Sequence, residues 1–314
     1  MLSSSIRSFR RYFANPFMKK KPLPDVGRII LTISCKGGVG KSTVALNTAV
    51  ALSELGNRVG ILDADLYGPS IPTMTNTNDN TIQKVRDDAY LPVPAYGIET
   101  MSIGNGIPRD SALLWKGPLI GQMVESFLTK TMWSPLDYLI VDTPPGTGDV
   151  QLSLHSSVLI DGAILVTSPQ DVVYADVVRN IDMLKKMNIP ILGIIQNFDG
   201  FVCPCCKKVT RIFKGNSGAQ LSKKFDIELL GSLPIDPTLA QAADEGFPAV
   251  LKSPDSAYSQ TFRTVAMRLM MKAPRLTEEE EEAKYLSMNP KAKKGKVEEV
   301  SEPAKKEKST VIKP

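Results

Sequence analysis

The sequence has a single histidine, His155, in 314 residues. That argues against His-rich metal sites and triads built on a histidine base. No apolar run comes near the roughly 20 residues needed to span a bilayer, so no integral membrane segment is expected. Cysteine is scarce as well: Cys35, Cys203, Cys205 and Cys206 make up the whole set. Three of them crowd into residues 203–206, unlike the spread framework of a disulfide-stapled secreted domain. This usage fits a reducing compartment and a thiolate metal site. No internal repeat is found. The net charge of +5 is weighted toward the N-terminus, so it argues little for a nucleic-acid partner, and none is expected.

No acidic residue precedes Asp25. The start instead carries Arg7, Arg10, Arg11, Lys19, Lys20 and Lys21, with Ile6, Phe9, Tyr12 and Phe13 at helical spacing opposite the arginines. Acid depletion together with amphipathicity reads as a mitochondrial transit peptide, so residues 1–27 are expected to be presequence and linker, and the mature chain to reside in the matrix.

An apolar fraction of 42% is ordinary for a chain that buries a core. From Arg28 on, near-continuous apolar runs alternate with amphipathic stretches. The runs at 29–34, 59–63, 98–103, 138–142, 163–168, 191–197 and 227–230 predict strands. The stretches 43–54, 172–187, 218–224 and 256–272 predict helices, the last with Tyr258, Phe262, Val265, Leu269 and Met270 on one face. Such alternation predicts an α/β fold with a mostly parallel sheet flanked by helices, over residues 28–273. Beyond Pro274 an acidic run, 278–282, and a basic one, 291–296, leave few apolar residues. Residues 274–314 are therefore expected to be a disordered or transiently helical tail.

Ser34-Cys35-Lys36-Gly37-Gly38-Val39-Gly40-Lys41-Ser42-Thr43 follows a predicted strand and opens a helix, the context of a phosphate-binding loop. Glycines let successive N–H groups turn inward on phosphate oxygens, and the helix N-terminus adds positive potential. Residues Gly37 to Thr43 are expected to cradle ATP. Lys41, read as surface-facing, would lie against the β- and γ-phosphates, and the Ser42 hydroxyl would ligate Mg²⁺. Cys35 stands where the usual pattern has Gly, and it reads as a small residue that fits near the phosphates.

Further acids end apolar strands, where the carboxyl edge of a parallel sheet holds ligands. Asp63 and Asp65 are expected to approach Mg²⁺ or the attacking water. Asp142 is expected to hold a Mg²⁺-bound water. In the switch-like segment 143–149 the Gly146 amide is expected to be available to the γ-phosphate. Asn197 offers a donor and an acceptor suited to the adenine edge.

Cys203 and Cys206 form a C-x-x-C pair with Cys205 between them. Taken alone the pair suits a redox couple, half a zinc site or half an iron–sulfur site. Pro204 and the lysines that follow do not suggest a thioredoxin-like helix cap. Two thiolates are half of a four-thiolate site, and the chain has no second pair, so a second copy is expected to supply the rest.

The order of these motifs carries a resemblance. The loop 34–43, the segments 63–70 (DADLYGPS), 115–118 (WKGP), 141–150 (VDTPPGTGDV) and 167–171 (TSPQD), then Gln196-Asn197 and the cysteine pair, together resemble the Mrp/ApbC family of iron–sulfur carrier ATPases. The absence of cysteine before Cys35 and the basic start are similar to its mitochondrial, NUBPL-like branch. The resemblance implies a deviant Walker A loop in which Lys36 reaches the partner subunit's nucleotide and acts in catalysis. It implies a homodimer and a labile four-iron, four-sulfur cluster bridged by Cys203 and Cys206 of two subunits. It further implies delivery to iron–sulfur apoproteins, with respiratory complex I subunits as clients. Three rivals remain at this point: a partitioning or septum-site ATPase, a reductase like the nitrogenase iron protein, and a zinc-bridged adaptor.

Overall fold

The computed structural model describes residues 23–85, 89–105, 117–146, 148–203, 205–206 and 208–288. The basic start, Trp115 and Lys116 of the 115–118 motif, and residues 289–314 lie outside the described residues. The chain divides into two units, 1–275 and 276–314.

In the first unit the strands are β1 (Val26–Ser34), β2 (Val59–Asp63), β3 (Gln83–Lys84), β4 (Tyr90–Leu91), β5 (Val93–Ala95), β6 (Ile98–Ser102), β7 (Leu136–Asp142), β8 (Gly162–Thr167), β9 (Ile191–Gln196), β10 (Phe201–Val202), β11 (Val209–Thr210) and β12 (Leu229–Ser232). Eight of them form one sheet in the order β12-β9-β8-β1-β7-β2-β6-β5. All its pairings are parallel except the β5–β6 edge, which is antiparallel. β1, β2, β7 and β8 are buried almost throughout, as strands covered on both faces must be.

The main helices are α1 (Lys41–Glu54), α2 (Ile71–Met74), α3 (Gly117–Lys130), α4 (Asp149–Ser157), α5 (Asp171–Lys186), α6 (Ser217–Phe225), α7 (Pro237–Asp244), α8 (Ala249–Lys252) and α9 (Ala257–Lys272). Alternation along β1 divides the core. Ile29, Leu31 and Ile33 face Val124 and Phe127 of α3 and Val177 and Ile181 of α5. Ile30 faces Leu46 and Val50 of α1 and Phe262 and Leu269 of α9. Full burial of each such side chain stabilises the fold by roughly 1.5–3 kcal/mol.

Predicted and observed elements agree to within a few residues along β1, β2, β6 to β9, α1, α5, α6 and α9. The sequence reading assigns no element to α3 or α4, although Ile120, Val124, Phe127 and Leu128 recur at helical spacing. Among the described residues no helix is long and apolar enough to cross a membrane.

The second unit opens on a helix. Glu278–Met288 is a helix, α10, where composition predicts a disordered or transiently helical tail. The reason is local. Thr277 Oγ1 accepts from the Glu280 amide at 3.3 Å, and Glu280 Oε2 accepts from the Thr277 amide at 3.0 Å. This reciprocal box starts a helix whose glutamates complement its N-terminal dipole.

Candidate functional site

Parallel pairing sets the carboxyl ends of β1, β2 and β7 side by side. In register, Thr32 lies opposite Asp142, and Asp63 lies opposite Asp142. The phosphate loop leaves β1 at Ser34 and enters α1 at Lys41. Gly38 and Gly40 hold φ of 79° and 81°, which a side chain disfavours. A Cβ at Gly37 or Gly38 would meet nothing within 4 Å, so the loop is open on that side. Helix α1 has no side-chain cap and no acid in its first turn. Its first amides are left for another acceptor, as an anion site requires.

Lys41 departs from the expectation of a surface-facing lysine. It is 6% exposed, and its Nζ lies 2.5 Å from Asp142 Oδ1 and 3.3 Å from Ser42 Oγ. Register explains this: the end of β7 lies beside the end of β1, so Asp142 faces the first turn of α1. Asp142 is fully buried, and its Oδ2 has no partner among the described residues. Such an orphaned acceptor beside a hydroxyl suits a hydrated cation.

Asp63 is fully buried too. Its Oδ2 accepts from the amides of Ser70 and Ile71 and from Ser102 Oγ, and its Oδ1 accepts from the Asp65 amide. Burial, followed by repulsion from Asp142, pushes its carboxyl up to about 7 against the pull of Lys41. Asp65 is half-buried, and burial raises its carboxyl above the usual range.

Two other expected phosphate or base contacts are engaged within the chain. The Gly146 amide, expected to be available to a γ-phosphate, donates to Ser34 O at 2.9 Å. Asn197, expected at the adenine edge, donates through Nδ2 to Val39 O at 2.9 Å and accepts through Oδ1 from the Phe198 amide. It sits there because Gly40 has no side chain: a Cβ at Gly40 would fall 2.2 Å from Asn197 Nδ2. Gly40 and Asn197 thus form a packed pair under the loop.

Lys36 Nζ lies 3.4 Å from Asp176 Oδ2 on α5, and its side chain is 41% exposed. Cys35 packs against the core, and Asn180 Nδ2 lies 2.9 Å from its sulfur. Burial, with Asp176 adding, pushes the Cys35 thiol up to about 12. Sequence reasoning missed Ser102, Asp176 and Asn180. All three act on motif residues from distant strands or helices, and their spacing carries no local signal.

The cysteine pair lies on a separate antiparallel hairpin of β10 and β11, closed by the Cys203 amide donating to Lys208 O at 3.0 Å. Cys205 and Cys206 are exposed, and Cys203 is half-buried. The amides of Cys206 and then Cys205 point at the Cys203 sulfur and hold its thiol below the ordinary value. A hairpin that aims amides at sulfur favours a thiolate. Among the described residues no group of three or more His, Cys, Asp or Glu side chains is placed to hold a metal ion.

The family model described as NUBPL iron-transfer P-loop NTPase matches residues 25–270. The iron-sulfur cluster carrier protein of Aquifex aeolicus is 44% identical over 252 residues, which is 80% of this chain and 69% of that protein. The iron-sulfur cluster transfer protein NUBPL of Mus musculus is 39% identical over 254 residues, 80% of this chain and 79% of that protein. A solved nucleotide-binding protein from Archaeoglobus fulgidus, in complex with ADP, superposes with a TM-score of 0.64 and 35% identity. It covers 76% of this chain and 93% of its own.

Proposed function

The chain belongs to the NUBPL iron-transfer P-loop NTPase family, and from that membership we propose that it is an ATPase that carries a labile four-iron, four-sulfur cluster to apoproteins. The cluster is held at the seam of a homodimer by Cys203 and Cys206 of each copy. One observation carries this reading: the paired thiols stand on a hairpin with Cys206 exposed and Cys203 half-buried and favoured as thiolate, and among the described residues no group of three or more His, Cys, Asp or Glu side chains is placed to hold a metal ion. A second copy supplies the other two thiolates of a four-thiolate set.

The nucleotide part rests on the uncapped start of α1 and the open glycines before it. Gly37 to Thr43 bind the phosphates of ATP, and Lys41 turns from Asp142 toward them. Ser42 and the orphaned Asp142 oxygen suit Mg²⁺ and its water, and the bound ion would neutralise charge on the β- and γ-phosphates. Asp65, exposed more than Asp63, orients the attacking water. Lys36 leaves Asp176 for the nucleotide of the partner copy, which couples hydrolysis to the seam and so to cluster retention.

The basic start directs the chain to the mitochondrial matrix, and complex I subunits are its clients. A reporter fused to residues 1–21 tests the first point: import and trimming are expected, and a cytosolic reporter would remove the matrix assignment. The C-x-x-C hairpin is what sets this reading above a partitioning or septum-site ATPase.

Anaerobic reconstitution tests the carrier directly. Iron and sulfide are assayed in wild type and in Cys203→Ala, Cys206→Ala and Cys35→Ala, with mass measured without oxygen. One cluster per dimer is expected, lost in the first two variants and kept in the third. A monomer holding a full cluster would end the bridging model. Stoichiometric zinc without iron would favour a zinc-bridged adaptor.

A further inference from the structure

The loop after β7 is fastened from α4 by Gln151, a residue that none of the nucleotide motifs includes. Gln151, in the first turn of α4, is 1% exposed. Its Nε2 donates to two backbone carbonyls, Pro144 O at 2.9 Å and Gly146 O at 3.1 Å. Only the amide nitrogen can donate to both, which fixes the orientation of the carboxamide. Its Oε1 therefore points away from these carbonyls and is buried without a partner among the described residues. A buried acceptor without a donor is unfavourable, so the two bonds at the other end must be what hold the side chain in place. Gln151 also lines a cleft of about 540 Å³ together with Asp65, Tyr67, Pro144 and Pro145.

The two clamped carbonyls flank one peptide unit, the one that carries the Gly146 N–H. That amide donates to Ser34 O at 2.9 Å, at the end of β1 where the phosphate loop begins. The turn is thus held on both sides, its carbonyls by α4 and its amide by β1. Gly146 has φ of 96°, in the region that favours glycine, so on that side no side chain hinders rotation of the unit. What resists rotation is the set of three hydrogen bonds.

We propose that Gln151 is a positioning residue that keeps the Gly146 amide on Ser34 O, so that a nucleoside diphosphate binds without rearrangement of this turn and a triphosphate binds only after this clamp opens. The inference rests on the reading of residues 34–43 as an ATP site. Gln151 then sets the preference between the two nucleotides and does not touch either one.

The test is a ratio. Affinities for Mg·ADP and for Mg·ATPγS are measured by calorimetry on the full chain, in wild type, Gln151→Leu and Gln151→Glu. Leu removes both hydrogen bonds at similar volume. Glu keeps the shape but, when ionised, offers only acceptors to the two carbonyls. Thermal unfolding identifies any variant that does not fold, and the other variant then decides. The affinity ratio of ATPγS to ADP is expected to rise about ten-fold, the scale of one to two neutral hydrogen bonds, with ADP affinity unchanged. An unchanged ratio, with both affinities reduced or only the melting temperature lowered, would overturn the proposal and leave Gln151 a structural residue. A wild type that binds neither nucleotide would overturn the ATP-site reading itself, a distinct result.

Discussion

Lys41 Nζ lies 2.5 Å from Asp142 Oδ1, with the two side chains 6% and 0% exposed and 101 residues apart in sequence. The charge expected to meet phosphate is thus already balanced within the chain. Truncating one partner strands the other as a buried charge, which typically costs about 3–5 kcal/mol. Lys41→Ala is therefore expected to abolish Mg·ATP binding and also to lower stability by that order. In Lys41→Ala/Asp142→Asn, stability should recover while binding stays lost. Calorimetry and denaturant unfolding on the same samples check both. A Lys41→Ala protein as stable as wild type would mean that the pair is not maintained in solution.

Lys36 contrasts with Lys41. It is partly solvated and, among the described residues, paired with Asp176. Exposed pairs contribute about 0–1 kcal/mol, so Lys36→Ala should melt near wild type. ATP affinity should also hold, while hydrolysis slows by about a hundred-fold or more, as when a transition-state donor is removed. Loss of binding and of hydrolysis in equal measure would place Lys36 in its own subunit's site.

Asp63 should give the fold an unusual pH dependence. Its carboxyl is raised by burial, then by Asp142, from 3.8 to about 7. The folded chain keeps a proton that the unfolded chain releases. The stability this proton brings is complete below the unfolded value and is lost as pH rises through about 7. Unfolding free energy should therefore fall between about pH 4 and 7, and Asp63→Asn should flatten that part of the curve. A wild-type curve already flat over this range would mean Asp63 is ionised throughout.

Thiol reactivity should separate the cysteines. The Cys35 thiol is pushed up to about 12 by burial, whereas Cys203 is held below the ordinary value by the amides of Cys206 and Cys205. The thiolate is the nucleophile. At neutral pH, iodoacetamide on the reduced, metal-free chain should label Cys203, Cys205 and Cys206 well before Cys35. Peptide mapping against time reads the order. Cys35 labelled as fast as Cys206 would contradict the packing around it.

Gly40→Ala should damage the site without touching a charge. Its φ is 81°, and the new Cβ would meet Asn197 Nδ2 at 2.2 Å. Asn197 must leave Val39 O, and a residue other than Gly must adopt a left-handed conformation, together costing about 1–3 kcal/mol. Nucleotide affinity should fall with the melting temperature. Restored binding in Gly40→Ala/Asn197→Gly would assign the damage to that clash.

The sequence by itself determined the strand–helix alternation, the phosphate loop and the acids that end β2 and β7. Those features are written in short-range periodicity, glycine spacing and the chemistry of strand ends. It also held the box Thr277–Glu280, which composition concealed. The partner of each polar atom was decided only by the tertiary structure. Lys41 meets Asp142 because β7 lies beside β1, and Asp63 meets Ser102 because β6 lies beside β2. Strand order and register join residues far apart in the chain, and hydrogen bonding is decided at distances of about 3 Å. Motif spacing gives each residue its chemistry, and the packing of the sheet sets which groups come within that reach.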